Sequence, residues 1–319
     1  MKTTRTATLA AAALAAALAA GPSAGETRVT YKSAKSTSSY YQMAVQIAEA
    51  VKAGSNAAVI VTVEESQGSV QNVKEAAARS GAYVFTTPPA LIQQAMAGEK
   101  AFAPKNPAFD NIRALFPIPA LTMHYVVRAD SGVQRFADLA GKDFIIGKGS
   151  FGANEAAANF KLFGLEGKVK LANVELNAAV PALKNGQVHG FATAGSYPAP
   201  NVLEAAASLP VRLLSMSEDE VKATKRTRLV IPKGTYPGVD EDVVTTSLPV
   251  GAYTTTGMDE QTAYQLTKIF WTRKAEMAKA NPWWGGVQPG MLDTLAGKLH
   301  PGALRYYTEA GVAVPDALK

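Results

Sequence analysis

The stretch FIIGKGSFGANEAAANF, Phe144 to Phe160, permits few folds. Phe144, Ile145 and Ile146 are the apolar run of a buried strand. Gly147, Gly149 and Gly152 let the backbone turn where a Cβ would be penalised, and the alanine-rich segment beyond them is a helix that Gly164 is placed to end. A strand that runs through a short turn of small residues into a helix is the repeating unit of a parallel sheet covered on both faces. The helix is expected to start close to Ser150 to Asn154. Unpaired amides and the positive end of the macrodipole meet there, and both favour a carboxylate or phosphate.

The same unit recurs earlier in the chain. Thr27 to Lys32 alternates as a first strand, and AKSTSS turns into a helix starting near Ser39, with Tyr41, Val45 and Ala48 on one face. Ala58 to Glu64 is a second strand, followed by ESQGSVQN, where Ser66 or Ser69 can cap the next helix. Tyr83 to Thr86 is a third strand, and Thr87-Pro88-Pro89 opens a helix bearing Leu91, Ile92 and Met96. Short runs at Arg113 to Leu115 and Thr122 to Arg128 lead to the glycine-rich stretch. Val169 to Leu176, a helix over Ala178 to Asn185, and a strand at Val188 to Ala192 then build a second set. A return strand, Thr245 to Thr254, precedes a long helix from Asp259 to about Ala280 whose stripe of Leu266, Ile269, Phe270 and Met277 is packing. Two short helices, around Met291 to Ala296 and Gly302 to Ala310, end the chain.

In such sheets ligands meet the loops at the carboxyl ends of the strands. The candidate residues are therefore Ser38, Ser39, Tyr40 and Tyr41 after the first strand, Gln67, Gly68 and Ser69 after the second, and Thr86 and Thr87 after the third. Lys148, Ser150, Phe151 and Asn154 follow in the glycine turn, with Thr193, Gly195, Ser196 and Tyr197 in the late loop. The helix starts at Ser69 and Asn154 would offer amides, Ser150, Thr87 and Thr193 hydroxyls, and Tyr40 and Phe151 walls. The spacing of Gly147, Gly149 and Gly152 is also G-x-G-x-x-G, and Glu175 lies near the end of the next apolar run, so a dinucleotide-binding oxidoreductase stands as the alternative.

Other classes are excluded more firmly. With no cysteine, there is neither a disulfide framework nor a thiolate catalyst nor a cysteine zinc site. His124, His189 and His300 lack second ligands at metal spacing, so no metal and no cofactor is expected. Asp240-Glu241-Asp242 lacks the ladder of a calcium loop and reads as a solvated turn or docking patch. Arg128 is open to a ligand carboxylate or a structural ion pair, and Trp283-Trp284 is expected to cover the end of the long helix. The formal charge of +6 is modest and its lysines and arginines are scattered, which argues against nucleic acid as a partner. Residues 1–25 have a basic start, an apolar run of about a dozen residues and small residues at Ser23 to Gly25, the signature of a secretory signal peptide. Export to the periplasm is the expected location.

Two segments carry a resemblance. IPKGTYPGVDEDV, Ile231 to Val243, and HPGALRYYTEAG, His300 to Gly311, closely resemble signature stretches of the TAXI receptors, the substrate-binding subunits of one class of tripartite ATP-independent periplasmic (TRAP) transporters. YYQMAVQIAEAV, VTVEESQGSVQNV, YVVRADSGVQRFADLAGKDFIIGKGSFGAN and TAGSYPAPNVLEAA extend the resemblance over essentially the whole mature chain. It implies an α/β, type II-like periplasmic binding protein fold with a ligand cleft between two lobes, one formed by residues 26–127 and 252–319 and the other by 128–251. It also implies a monomeric receptor without catalytic residues, a small organic anion as ligand (a dicarboxylate, 2-oxoacid or acidic amino acid), and delivery to a membrane permease whose small and large subunits are often fused, driven by an ion gradient. A receptor for a membrane signalling protein is the remaining alternative. Tyr40, Tyr41, Gly68, Ser69, Ser150, Thr193 and Gly195 occupy the positions of the family's cleft residues. A first loop without glycine, the Thr86-Thr87-Pro88 segment, Phe151 and Ala153 depart from its pattern where ligand choice is made.

Overall fold

The structure, a computed structural model, describes residues 26–319; the expected leader lies outside them. Three strand-helix units open it: β1 (Thr27–Lys32) and α1 (Ser39–Gly54), β2 (Val59–Glu64) and α2 (Ser69–Ala76), β3 (Tyr83–Thr87) and α3 (Pro89–Ala97). β1 pairs in parallel with both β2 and β3, as strand-helix-strand connections require. α1 buries Tyr40, Met43, Ala44, Ile47 and Val51, not the expected face: Val45 is exposed and Tyr41 and Ala48 are half-buried. The two stripes share one helical period, and the one with Met43 and Ile47 carries the larger apolar volume.

The long strand β4 (Ile112–Arg128) joins what the sequence shows as two runs. Pro117 and Pro119 interrupt the apolar pattern without interrupting the strand, because β4 and its antiparallel partner β10 (Val243–Thr255) slip register where Pro249 lies between Leu248 and Val250. A bulge is where a sheet tolerates residues without an N–H to donate. Before the slip β4 lies beside β10 and β11 (Lys298–Leu299). From Thr122 onward it also pairs with β7 (Gly190–Gly195), and near its end with β8 (Val211–Leu213).

β5 (Asp143–Ile145) leads into α4 (Phe151–Leu162), and β6 (Lys170–Ala172), α5 (Ala179–Lys184), β7 and α6 (Pro200–Ser208) complete the second set. The strand expected over Val169 to Leu176 is thus a three-residue piece. β8, α7 (Glu218–Thr224) and β9 (Thr227–Ile231) have no counterpart in the expectations; the short strands β8 and β9 pair at the side of β4 and β10. Among the described residues all strands form one sheet, with the path β2-β1-β3-β10-β4-β7-β5-β6. α8 (Glu260–Ala280) then packs Leu266, Ile269, Phe270 and Met277 against the first half, Phe270 stacking on Phe116 at 4.0 Å between ring centres, and α9 (Pro301–Glu309) follows. Trp284 caps that packing edge-on to Phe270, as expected, whereas Trp283 donates from its indole to Pro198 O in the other half. Two apolar cores result. One centres on β1, β3, α1 and α8, the other on Ile145, Val180, Leu183, Phe191 and Val202.

Candidate functional site

The loops after β1, β2 and β5 and the end of β7 converge on a cavity of about 50 Å³ directly above the β4–β10 bulge, with Leu121 and Val250 in its floor. Ser38, Tyr40, Gln67, Gly68, Ser69, Lys148, Ser150, Phe151 and Thr193 all line it. Both halves therefore contribute, and they approach closely. A Cβ built on Gly68 would stand 3.8 Å from the Ser150 Cα.

Its hydroxyls are oriented by what they accept. Ser38 caps α1 by accepting the Tyr41 amide at 3.2 Å, Ser150 caps α4 by accepting the Ala153 amide at 2.9 Å, and Thr193 accepts from the Asn201 side-chain amide at 3.0 Å. Each keeps a proton with no acceptor among the described residues, so each presents a donor. The amides of Ser69 at the start of α2 and of Phe151 and Gly152 at the start of α4 lack intrahelical acceptors and carry the positive ends of their dipoles. The α2 cap is the Gly68 backbone; neither Ser66 nor Ser69 caps it, because Ser66 Oγ accepts the Gly68 amide instead. The apolar wall comprises Tyr40, Leu121, Ile146, Phe151, Leu176 and Val250. Burial pushes the Tyr40 phenol far up, and its hydroxyl donates to Pro119 O at 3.1 Å. Tyr40 is a wall and not an acid.

The cavity mouth is closed by charge. Lys35, which lines the cavity from the loop after β1, pairs with Glu175 of the second half at 2.7 Å, and the Gln67 side-chain amide donates to the same carboxylate. Lys35 and then Gln67 hold the Glu175 carboxyl below its usual range, with Lys148 adding to the field. Glu65 accepts the Ser36 amide at 2.6 Å on the neighbouring turn, and hydrogen bonding from the Ser36 side chain and then its amide lowers its pKa as well.

Several expected residues lie elsewhere. Asn154 is exposed, because α4 starts three residues earlier than the reading that made Asn154 its first turn. Thr86 donates to the Tyr31 hydroxyl and Thr87 to Pro88 O, both buried beneath the floor. Tyr41 contributes its amide to the Ser38 cap and no wall. Ser39 Oγ accepts the Ser196 amide at 2.9 Å, a contact that needs Gly195, since a Cβ there would fall 2.6 Å from that oxygen. Ser196 and Tyr197 face a separate space of about 490 Å³ on the other side of β4, shared with Trp283 and Met291. Arg128 is structural: it grips Asp130 with two nitrogens and donates to Leu183 O. The histidines make local hydrogen bonds, His124 to Thr122 O and Tyr236, His189 from the Asp143 amide, His300 from the Gly302 amide.

Three features escaped the sequence reading. Lys35 sits in the first loop beside residues that were named, and its charge was the available signal. Leu121 and Val250 reach the site only through the pairing of two strands far apart in sequence. Asn201 acts from α6 through Thr193. The glycines of the G-x-G-x-x-G spacing have conformational causes. Gly147 and Gly149 are left-handed at φ +77° and +78°, and a Cβ on Gly152 would stand 2.7 Å from that of Ala194.

Residues 32–311 match the sequence profile of the NMT1-like family. The chain belongs to that family. Among solved structures, this NMT1-like protein is similar to the periplasmic binding protein BugD, with a TM-score of 0.56 at 12% identity over 91% of this chain and 99% of the other. MatC from Rhodopseudomonas palustris, solved with bound malate, gives a TM-score of 0.56 at 12% identity over 89% and 96%. At such identities the likeness shows the fold: this is the α/β fold of periplasmic binding proteins. No helix among the described residues is long and apolar enough to cross a membrane.

Proposed function

We propose that this NMT1-like protein is an exported, non-catalytic receptor that closes its two halves around a small organic anion and delivers it to a membrane permease. The observation that carries this reading is the lining of the cavity. Donors dominate it, namely the hydroxyl protons of Ser38, Ser150 and Thr193, first-turn amides of α2 and α4, and the ammonium groups of Lys35 and Lys148; among the described residues no carboxylate lines it. A ligand that only accepts hydrogen bonds satisfies such a set, and a carboxylate is the common metabolite group that does so.

The β4–β10 bulge supports the same reading. The slip at Leu248–Val250 lies under the cavity, and β4 changes partners at Thr122, so we place the hinge there. Residues 26–127 with 252–319 and residues 128–251 are then the moving lobes to within a few residues. The resemblance of Ile231 to Val243 and His300 to Gly311 to TAXI receptors favours a TRAP-type permease as the recipient, and the basic-apolar leader favours the periplasm.

A thermal-shift screen of residues 26–319 against organic anions and NAD(P) tests the reading. A ligand at about 100 times its Kd adds ~2.7 kcal/mol of stability, or about 4–5 °C for a chain of this size. Stabilisation by a class of anions, abolished in Ser69→Trp, is expected. Stabilisation by dinucleotides alone would overturn the proposal.

A further inference from the structure

We infer that the ligand is a short monocarboxylate of about two to four carbons, and that Glu175 sets this preference. The inference rests on the anion-receptor reading and narrows it.

Charge is the first ground. Lys35 and Lys148 are the cations in the cavity lining, and Glu65 and Glu175 are the carboxylates on the turns beside them. Glu175 occupies Lys35 directly at 2.7 Å, and the nearby Lys32 and Arg79 are matched by Glu64 and Glu75. The formal charge around the cavity is therefore balanced. What remains for a ligand is Lys148, which forms no ion pair among the described residues, with the partial positive charge of two helix starts and a set of neutral hydroxyl donors, enough to hold one carboxylate. A second carboxylate would meet Glu175 or be buried without a cation of its own, and an unpaired buried ion is strongly disfavoured.

Volume is the second ground and is independent of charge. A water needs about 10–15 Å³ of such volume, so the 50 Å³ here accommodates about three to five non-hydrogen atoms. Acetate, propionate and lactate are of that order, whereas succinate, malate and glutamate are roughly twice as large. The apolar wall of Leu121, Ile146, Leu176 and Val250 suits a short alkyl or 2-oxoalkyl tail. Lys35–Glu175 and Gln67–Glu175 close the mouth over a ligand of that length. A longer ligand would have to displace this latch.

The test is isothermal titration of residues 26–319 with sodium acetate, propionate, lactate and pyruvate, and with succinate, malate, 2-oxoglutarate and glutamate. At least one monocarboxylate is expected to bind tenfold or more tighter than every dicarboxylate. Glu175→Gln frees Lys35 as a second cation, and the ratio of monocarboxylate to dicarboxylate affinity is expected to fall at least tenfold. A purely structural role for Glu175 would weaken both classes together and leave the ratio unchanged, which would overturn its assignment. Tighter binding of a dicarboxylate by the unaltered protein would overturn the inference and leave the anion-receptor reading standing. No binding of any anion in the panel would overturn both.

Discussion

Ser150 holds two jobs that substitution separates. Its oxygen accepts the Ala153 amide and so caps α4, while its proton faces a cavity it lines with no acceptor among the described residues. Replacing an N-cap serine by alanine costs about 0.5–2 kcal/mol of stability, whereas glycine costs only a few tenths. A hydrogen bond to a charged group is worth about 1.5–3 kcal/mol, and tenfold in Kd corresponds to about 1.4 kcal/mol, so losing the hydroxyl should weaken anion binding about 10- to 100-fold. Ser150→Ala is therefore expected to lose both stability and affinity, and Ser150→Gly affinity alone. Urea unfolding of the ligand-free proteins gives the first quantity, and calorimetric titration with sodium propionate the second. Wild-type affinity in Ser150→Gly would refute the placement of this hydroxyl against the ligand.

Further outcomes follow from other parts of the fold. His124 is buried between Thr122 O and Tyr236, and desolvation pulls its pKa from 6.5 to about 4. Between those values the unfolded chain binds a proton that the folded one refuses, so this contribution is complete above pH 6.5 and is lost as pH falls, by about 3 kcal/mol at pH 4. Urea midpoints from pH 7 to 4.5 should fall less steeply in His124→Gln; parallel profiles would contradict the burial argument. Arg226 gives two hydrogen bonds, at 3.1 and 2.8 Å, to Glu155 on the buried side of α4. Arg226→Met should cost about 1.5–3 kcal/mol by stranding that carboxylate, and adding Glu155→Gln should restore part of it; no recovery in the double variant would speak against stranding. In Gly152→Ala the new methyl meets the Ala194 Cβ at 2.7 Å and its amide nitrogen at 3.3 Å, so a loss of about 1–3 kcal/mol is expected, and unchanged unfolding would show that α4 and β7 pack less tightly than described.

Much of this was legible in the sequence because strand-turn-helix units announce themselves locally. The apolar runs of β1, β2, β3 and β5, the helix starts near Ser39 and Ser150 and the stripe of α8 all depend on neighbours a few residues away. The glycine turn, the Gln67-Gly68-Ser69 turn and Thr193 converge because loops at one edge of a parallel sheet must. What escaped depends on distance along the chain. The floor at Leu121 and Val250 exists only once β4 and β10 are paired across Pro119 and Pro249, residues that read locally as breaks. The Lys35–Glu175 pair joins opposite halves, and the acidic residue could equally be read as a ribose ligand until the fold placed it at the mouth. Asn154 and the face of α1 failed for a smaller reason. A helical period fixes spacing but not phase, and an error of one to three residues turns a side chain from cavity or core to solvent.

On the proposed function, an anion draws the two halves together about the β4–β10 bulge. The chain has no cysteine, so Lys74→Cys on α2 and Lys161→Cys on α4, both exposed, accept spin labels without background. Double electron–electron resonance would then report the distance between the halves with and without saturating carboxylate. A shorter and narrower distribution with the bound anion is the result expected. The same distribution in both samples, with binding confirmed by titration, would contradict closure on the ligand.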